Sequence, residues 1–401
     1  MKKFSLYIVF FICFFHFSYG ETVSELIELA KKNNPELKKI EKELYILKEK
    51  TKFAGKLFSP RISISISGSR IWTDPIQALE LRLKQRITFP RKLDLEQKIA
   101  IEEYKIQYYT LRLTQLRIVR EIKEVAYKVW LLKQIKNVIQ KYNKELIKLY
   151  AVSKILNKQK KVSKLDLERI SLYISILKKQ SIEVDNEIQE NIAVIERLVN
   201  ARVHDITAKP LVPELFEDFQ KLEELLRYSS PKLKAVEEEL KRIAFSYHLA
   251  KMIFYPDFDV SMKYRIAPRW KDAVEFSASW DLPIWRKFKE QEIVLREKIK
   301  EITIREQWID TYNILKMTLK ENYIKIKKAK KVFRLIKYSI IPKAQENYEL
   351  SLKEYKEGKL NINDVLLVLK EKKEMEEEKF RQIYNSNVAY FKILEIIDAL
   401  Y

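Results

Sequence analysis

Arg61-Ile62-Ser63-Ile64-Ser65-Ile66-Ser67 alternates polar and apolar residues without a break. Successive side chains of an extended chain point to opposite sides, so the three isoleucines share one face and the serines with Arg61 share the other. Three more stretches carry this pattern. In the second, Leu79, Leu81, Leu83, Ile87 and Phe89 oppose Glu80, Arg82, Lys84, Arg86 and Thr88. In the third, Phe258, Val260, Met262, Tyr264 and Ile266 oppose Asp257, Asp259, Ser261, Lys263 and Arg265. In the fourth, Val274, Phe276, Ala278, Trp280 and Leu282 oppose Glu275, Ser277, Ser279 and Asp281. The pattern predicts strands over about 61–72, 78–89, 257–266 and 273–282. Each comes near the ~9–11 residues of a tilted strand that crosses a membrane.

Four strands are too few for a soluble sandwich. They also cannot close a barrel, and lipid does not tolerate an open sheet edge. Closed membrane barrels begin at about eight strands, so several copies must share one barrel, and three copies would supply about twelve. Trp72, Trp270 and Trp285 lie near the strand ends. An aromatic girdle would sit there, and turn packing is the other reading.

Beyond the strands the chain is helical. Lys92 to Asn157 holds 66 residues without proline or glycine, or ~99 Å of helix. Ile118, Ile122, Val125, Val129 and Leu132 step by four and three, and Ile135, Ile139, Tyr142, Leu146 and Leu149 do so again after a three-residue slip. This is coiled-coil spacing with a stammer. A matching stretch runs from Arg286 to Lys356, interrupted only by Pro342. Helices of this length project and pack against neighbours. The predicted class is mainly α with a small β part.

The punctuation recurs. Pro35 and Pro231 lie 196 residues apart, as do Pro60 and Pro256; Pro75 and Pro268 lie 193 apart, as do Pro90 and Pro283. Tyr150 and Tyr348, Ser153 and Ser351, and Asp166 and Asp364 are each separated by 198. We read a tandem repeat, 21–205 and 214–401, joined by a linker over 206–213 that contains Lys209-Pro210-Leu211-Val212-Pro213.

Met1-Lys2-Lys3, an uncharged apolar run from Phe4 to Phe17 and Ser18-Tyr19-Gly20 have the layout of a signal peptide over 1–20. The alternative is an uncleaved anchor, but the 14-residue run falls short of the ~20 that a spanning helix needs. Cys13, the only cysteine, lies in that run behind Ile12, which does not suit lipidation. The formal charge of +22 could suit nucleic acid or an anionic membrane. The basic residues are spread among 56 acidic ones, as on solvated helices, and export argues against a nucleic-acid partner. Glycine is too scarce for phosphate loops, and His204 and His248 form no ligand pair. No protease, P-loop or nucleophile-elbow signature occurs, so no catalytic, cofactor or metal residues are assigned.

Two stretches read as helical hairpin turns. One is Ile341-Pro342-Lys343-Ala344, then Tyr355-Lys356-Glu357-Gly358-Lys359-Leu360-Asn361-Ile362-Asn363-Asp364-Val365-Leu366. The other is Lys160-Lys161-Val162-Ser163-Lys164-Leu165-Asp166. Gly358 suits a left-handed helix end. Ser163 with Asp166, and Asn361 with Asp364, fit the first cap and third positions of the following helix. The Pro-x-Ala, Tyr-x-x-Gly and Asp-Val-Leu series closely resembles the signature of the TolC family, and the first-copy stretch is a degenerate counterpart. The resemblance covers essentially the whole chain after residue 20.

That resemblance implies a homotrimer: a 12-stranded β-barrel in outer-membrane lipid, continued by an α-barrel of antiparallel coiled-coil helices in the periplasm. It implies an exit duct whose tips dock a periplasmic adaptor and an inner-membrane RND-type or ABC pump. Lys160, Lys161, Val162, Ser163, Asp166, Tyr355, Gly358, Lys359, Leu360 and Asn361 are the implied docking residues. Asp364 matches a position at the family's periplasmic constriction and also fits a plain helix cap. Leu367 stands where the family's best-known member has a second acid. Gln85–Pro90 with Arg91-Lys92, and Trp280-Asp281-Leu282-Pro283-Ile284-Trp285, resemble junctions of heavy-metal-efflux components. The alternatives are an outer-membrane component of type I protein secretion and, from another class, a periplasmic coiled-coil scaffold without a pore.

Overall fold

The structure, a computed structural model, describes residues 20–67, 78–210, 212–214, 218–267, 271–280 and 289–400. The signal-peptide reading, Trp72, Trp270, Trp285, Leu211, and Pro75, Pro268 and Pro283 of the repeat pairs lie outside them, as do the predicted outer ends of the first and last strands.

The first half of the chain runs β1 (Glu21–Thr22), α1 (Val23–Asn33), α2 (Pro35–Phe53), β2 (Arg61–Ser67), β3 (Ala78–Ile87), α3 (Pro90–Lys158) and α4 (Lys164–Val199). The second runs β4 (Ile206–Thr207), α5 (Phe219–Ser229), α6 (Pro231–Lys251), β5 (Phe258–Ile266), β6 (Ala273–Trp280), α7 (Lys289–Leu335), α8 (Ile341–Lys356) and α9 (Ile362–Ile396). The order in the two halves is the same once α7 and α8 together are matched to α3. Asn34 at ψ 124° and Ser230 at ψ 117°, each ahead of a proline, leave the helical region and divide the first helix of each half. A residue before proline is pushed out of the helical region, and proline then opens the next helix at no hydrogen-bond cost. Between α7 and α8 lies a π-helical segment, Ile336–Ile340, just ahead of Pro342. Proline lacks the N–H and its ring crowds the carbonyl four residues back, and a wider turn relieves both.

The chain forms two compact units. One takes the chain up to Asn34, Ile118–Leu215 and Ile324–Phe391; the other takes Pro35–Arg117, Phe216–Tyr323 and Lys392–Tyr401. Each unit draws on both halves, so compactness does not follow the repeat. In the first unit β1 pairs in parallel with β4, Glu21 opposite Ile206 and Thr22 opposite Thr207. The stretch read as a linker is therefore partly strand. Ile206 is buried there, and Lys133 Nζ bonds the Asp205 carboxylate at 2.5 Å and the Ile206 carbonyl at 2.9 Å.

The second unit holds a four-stranded antiparallel sheet in the order β2-β3-β5-β6. The register stacks the apolar positions of all four strands: Ile64 faces Leu81, Leu81 faces Tyr264, and Tyr264 faces Val274. The apolar face is open, with Ile62 and Ile64 at 68% and Phe276 at 76% exposure. In water such a patch would drive association, and β2 and β6 each leave an edge unpaired among the described residues. No described helix is long and apolar enough to cross a membrane. Asp257, just before β5, ties the sheet to α3. It accepts bonds from Arg86 at 3.1 Å, the Phe89 N–H at 3.1 Å and Lys92 at 2.9 Å.

Candidate functional site

Both predicted tips are helix–turn–helix hairpins within the first unit. The first joins α3 to α4. Its Lys161 N–H bonds the Leu156 carbonyl at 3.0 Å, and Asn157 Nδ2 bonds the Val162 carbonyl at 2.9 Å. Lys160 holds the left-handed turn position at φ 58°, where a side chain is strained and glycine is not. Ser163 and Asp166 then close a reciprocal capping box. The Asp166 N–H donates to Ser163 Oγ at 3.2 Å, and the Ser163 N–H donates to the Asp166 carboxylate at 2.9 Å. Lys160, Lys161 and Ser163 are exposed; Val162 and Asp166 are half-buried.

The second tip joins α8 to α9. The Lys359 N–H reaches the Glu354 carbonyl at 3.0 Å, the same backbone pattern as at Lys161, with Gly358 at φ 77° in the place of Lys160. Asn361 Oδ1 accepts from the N–H groups of Asn363 at 2.9 Å and Asp364 at 3.3 Å. The Asp364 carboxylate makes no return bond among the described residues, so the second cap is half of a box. Asp364 is half-buried and Leu367 exposed; Gly358, Lys359 and Asn361 are exposed, and Leu360 is half-buried. Lys359 pairs with Glu357 at 2.7 Å. That contact holds the Glu357 carboxyl below its ordinary range and the Lys359 ammonium above its own.

Tyr355 is placed differently from the other tip residues. It is 1% exposed, and its hydroxyl lies 2.8 Å from Ser153 Oγ, joining α8 to α3. Burial pushes the Tyr355 phenol up. It belongs to the core of the four-helix unit, beside Leu156, Ile170, Ile362 and Val365, rather than to a docking surface.

Below the tips the core contains a polar cluster that the sequence reading missed. Lys372 is 2% exposed. Its Nζ lies 3.4 Å from Glu145, 4.7 Å from the ring centre of Tyr348 and 5.3 Å from that of Tyr142. Nearby, Lys141 bonds Glu376 at 2.7 Å. Burial, aided by the Glu145 charge, pushes the Tyr348 phenol up to about 12. One signal was legible. Val365, Leu369, Lys372 and Glu376 step by four, three and four, which puts Lys372 and Glu376 on the buried stripe of α9.

The unit thus offers two capped tips over a core shared by α3, α4, α8 and α9, with acidic and basic side chains at both turns. Among the described residues no group of three or more acidic, His or Cys side chains could hold a metal.

No protein-family model matches the sequence, and no curated protein does. Solved structures do match. The outer-membrane channel OprN aligns at a TM-score of 0.82 and 12% identity over 94% of this chain and 90% of its own. CusC, solved in forms that bear on folding and transmembrane channel formation, aligns at 0.80 and 12% over 94% and 91%. The outer membrane protein VceC of Vibrio cholerae aligns at 0.77 and 13% over 94% and 95%. At such identities the likeness is one of fold. From the opening helices through both tips, this chain has the TolC-like fold of outer-membrane channel proteins.

Proposed function

We propose that the chain is one protomer of a trimeric outer-membrane exit duct in a tripartite efflux system. The single observation that carries this reading is the sheet, whose open apolar face suits lipid and whose unpaired edges suit neighbouring copies. Three copies make a closed barrel of about twelve strands, which removes every edge from the lipid. The long helices would extend it through the periplasm. The tips would face a periplasmic adaptor and an inner-membrane pump of RND or ABC type, with Lys160, Lys161, Lys359 and the two caps on the docking surface. Asp364, half-buried with an uncommitted carboxylate, would form an acidic ring near the axis. Transport is passage through the opened pore, with no covalent chemistry. A pore-free coiled-coil scaffold has no use for the greasy sheet face.

The test is reconstitution of the full chain into planar bilayers, with the mass of the detergent-solubilised particle measured alongside. Trimer-sized particles that conduct are expected, and Asp364→Ala should lengthen open times. A water-soluble monomer that never conducts would overturn the reading.

A further inference from the structure

The polar face of the sheet differs from its apolar face in more than polarity. It presents Arg61, Arg82, Lys84, Arg86, Lys263 and Arg265 against Glu80, Asp259 and Glu275. The remaining described positions are serine and alanine, including the Ser261–Ser277 hydroxyl pair at 2.8 Å. The acids are already engaged. Asp259 pairs with Lys84 at 3.1 Å, Glu275 pairs with Lys263, and Glu80 lies 4.0 Å from the same Lys263. Asp257 at the foot of the sheet is matched by Lys92 at 2.9 Å. Arg61, Arg82 and Arg265 are exposed and make no ion pair among the described residues. Among the described strand residues the face therefore carries a net +3 per chain.

Resting on the duct reading above, we infer that the barrel is an anion-preferring conduit, so that the solutes it passes are anionic. If the apolar face meets lipid, the polar face lines the lumen, and three copies carry a net +9. A ring of one sign inside low-dielectric walls raises the local concentration of the opposite ion, and side chains that line a barrel tune its selectivity. Solutes bearing carboxylate, phosphate or sulfate groups gain from this field. A bare divalent cation is repelled, so a metal would leave more readily as an anionic complex.

The experiment is the reversal potential of reconstituted full-length channels under a KCl gradient in neutral lipid. It is read in the wild type and in Asp364→Asn, which removes the acidic ring at the tip. A several-fold preference for chloride over potassium is expected in Asp364→Asn, fading at high salt as screening shortens the field. In that background Arg82→Glu with Arg265→Glu takes the three-copy face from +9 to −3, and the preference should reverse. Arg82→Gln with Arg265→Gln is the milder pair should the first fail to assemble, and it should weaken the preference toward unity. Potassium preference in Asp364→Asn, or chloride preference untouched in variants that conduct normally, would overturn the inference. A wild type that never conducts would instead sink the duct reading.

Discussion

The two hairpin tips use one backbone design with different chemistry. Both end their first helix with an N–H reaching five residues back, and both cap the next helix with a small polar side chain. The first tip has the complete capping box and a strained lysine at the turn; the second has a relaxed glycine and half a box. Their supports differ too. At the 198-residue offset, the second hairpin's Tyr348, Tyr355 and Lys372 correspond to Tyr150, Asn157 and Ile174. The former three are buried in a polar, hydrogen-bonded core; the latter three are half-buried. Local capping strength is therefore concentrated at the first tip and buried anchoring at the second. A hairpin held by its core tolerates a weak cap, and one with less core support gains from a strong one.

Removing the anchor should give the largest effect. Lys372→Ala loses a packed stem and leaves Glu145 without its partner, at a cost of about 2–4 kcal/mol. Ile174→Ala at the other hairpin should cost less, about 1–2 kcal/mol, because the site is only half-buried. Lys372→Met should recover the packing part of the loss, since the stem's shape is kept, while Glu145 stays without its partner as in the alanine variant. Thermal melting of the detergent-solubilised protein ranks the three. Equal melting points for the two alanine variants would erase the contrast.

Alkaline pH probes the same core. Tyr348 is raised from the ordinary phenol value to about 12 by burial and the Glu145 charge. A raised value means that the folded state holds the proton more tightly. Its contribution is thus complete below pH ~10, and is lost as pH rises from there to about 12. Melting temperature should fall across that window, and Tyr348→Phe should flatten part of the fall. An alkaline fall identical in wild type and Tyr348→Phe would show that this phenol has no part in it.

The turns themselves should give the smallest and most symmetrical effect. Lys160→Gly relieves a left-handed lysine and should stabilise by about 1 kcal/mol; Gly358→Ala should destabilise by a similar amount. A Cβ at Gly358 would meet nothing within 4 Å, so only backbone strain is at stake. Melting shifts of the same sign for both substitutions would break the comparison.

The parts of this fold governed by local rules were legible in the residues. Alternation placed the strands and their faces, because the register stacks like with like. The absence of proline and glycine announced α3, and Ser163–Asp166 announced the capping box of α4. Three things were not legible. The β1–β4 pair spans two residues a side, too short for any period to register. Spacing puts Lys372 on the buried stripe of α9, but the partners it meets there, Glu145 and Tyr348, come from other helices and leave no mark on that spacing. The two compact units mix both halves of the chain, since long-range contacts leave no mark on local pattern.

The π-helical segment has a consequence for sequence length. Buried Ala329, Ile336, Tyr348 and Tyr355 are separated by 7, 12 and 7 residues. At about 100° per residue, seven residues nearly restore the starting azimuth, whereas twelve overshoot it by about 120°. One residue absorbed in the wide turn leaves eleven to be wound, and Tyr348 returns to within about 20° of the buried stripe. The segment Ile336–Ile340 is thus a phase correction for a surplus residue. A single deletion there would let an α-helix, kinked at Pro342, present the same side chains on nearly the same azimuth, while a second would turn Tyr348 and Tyr355 away from the core.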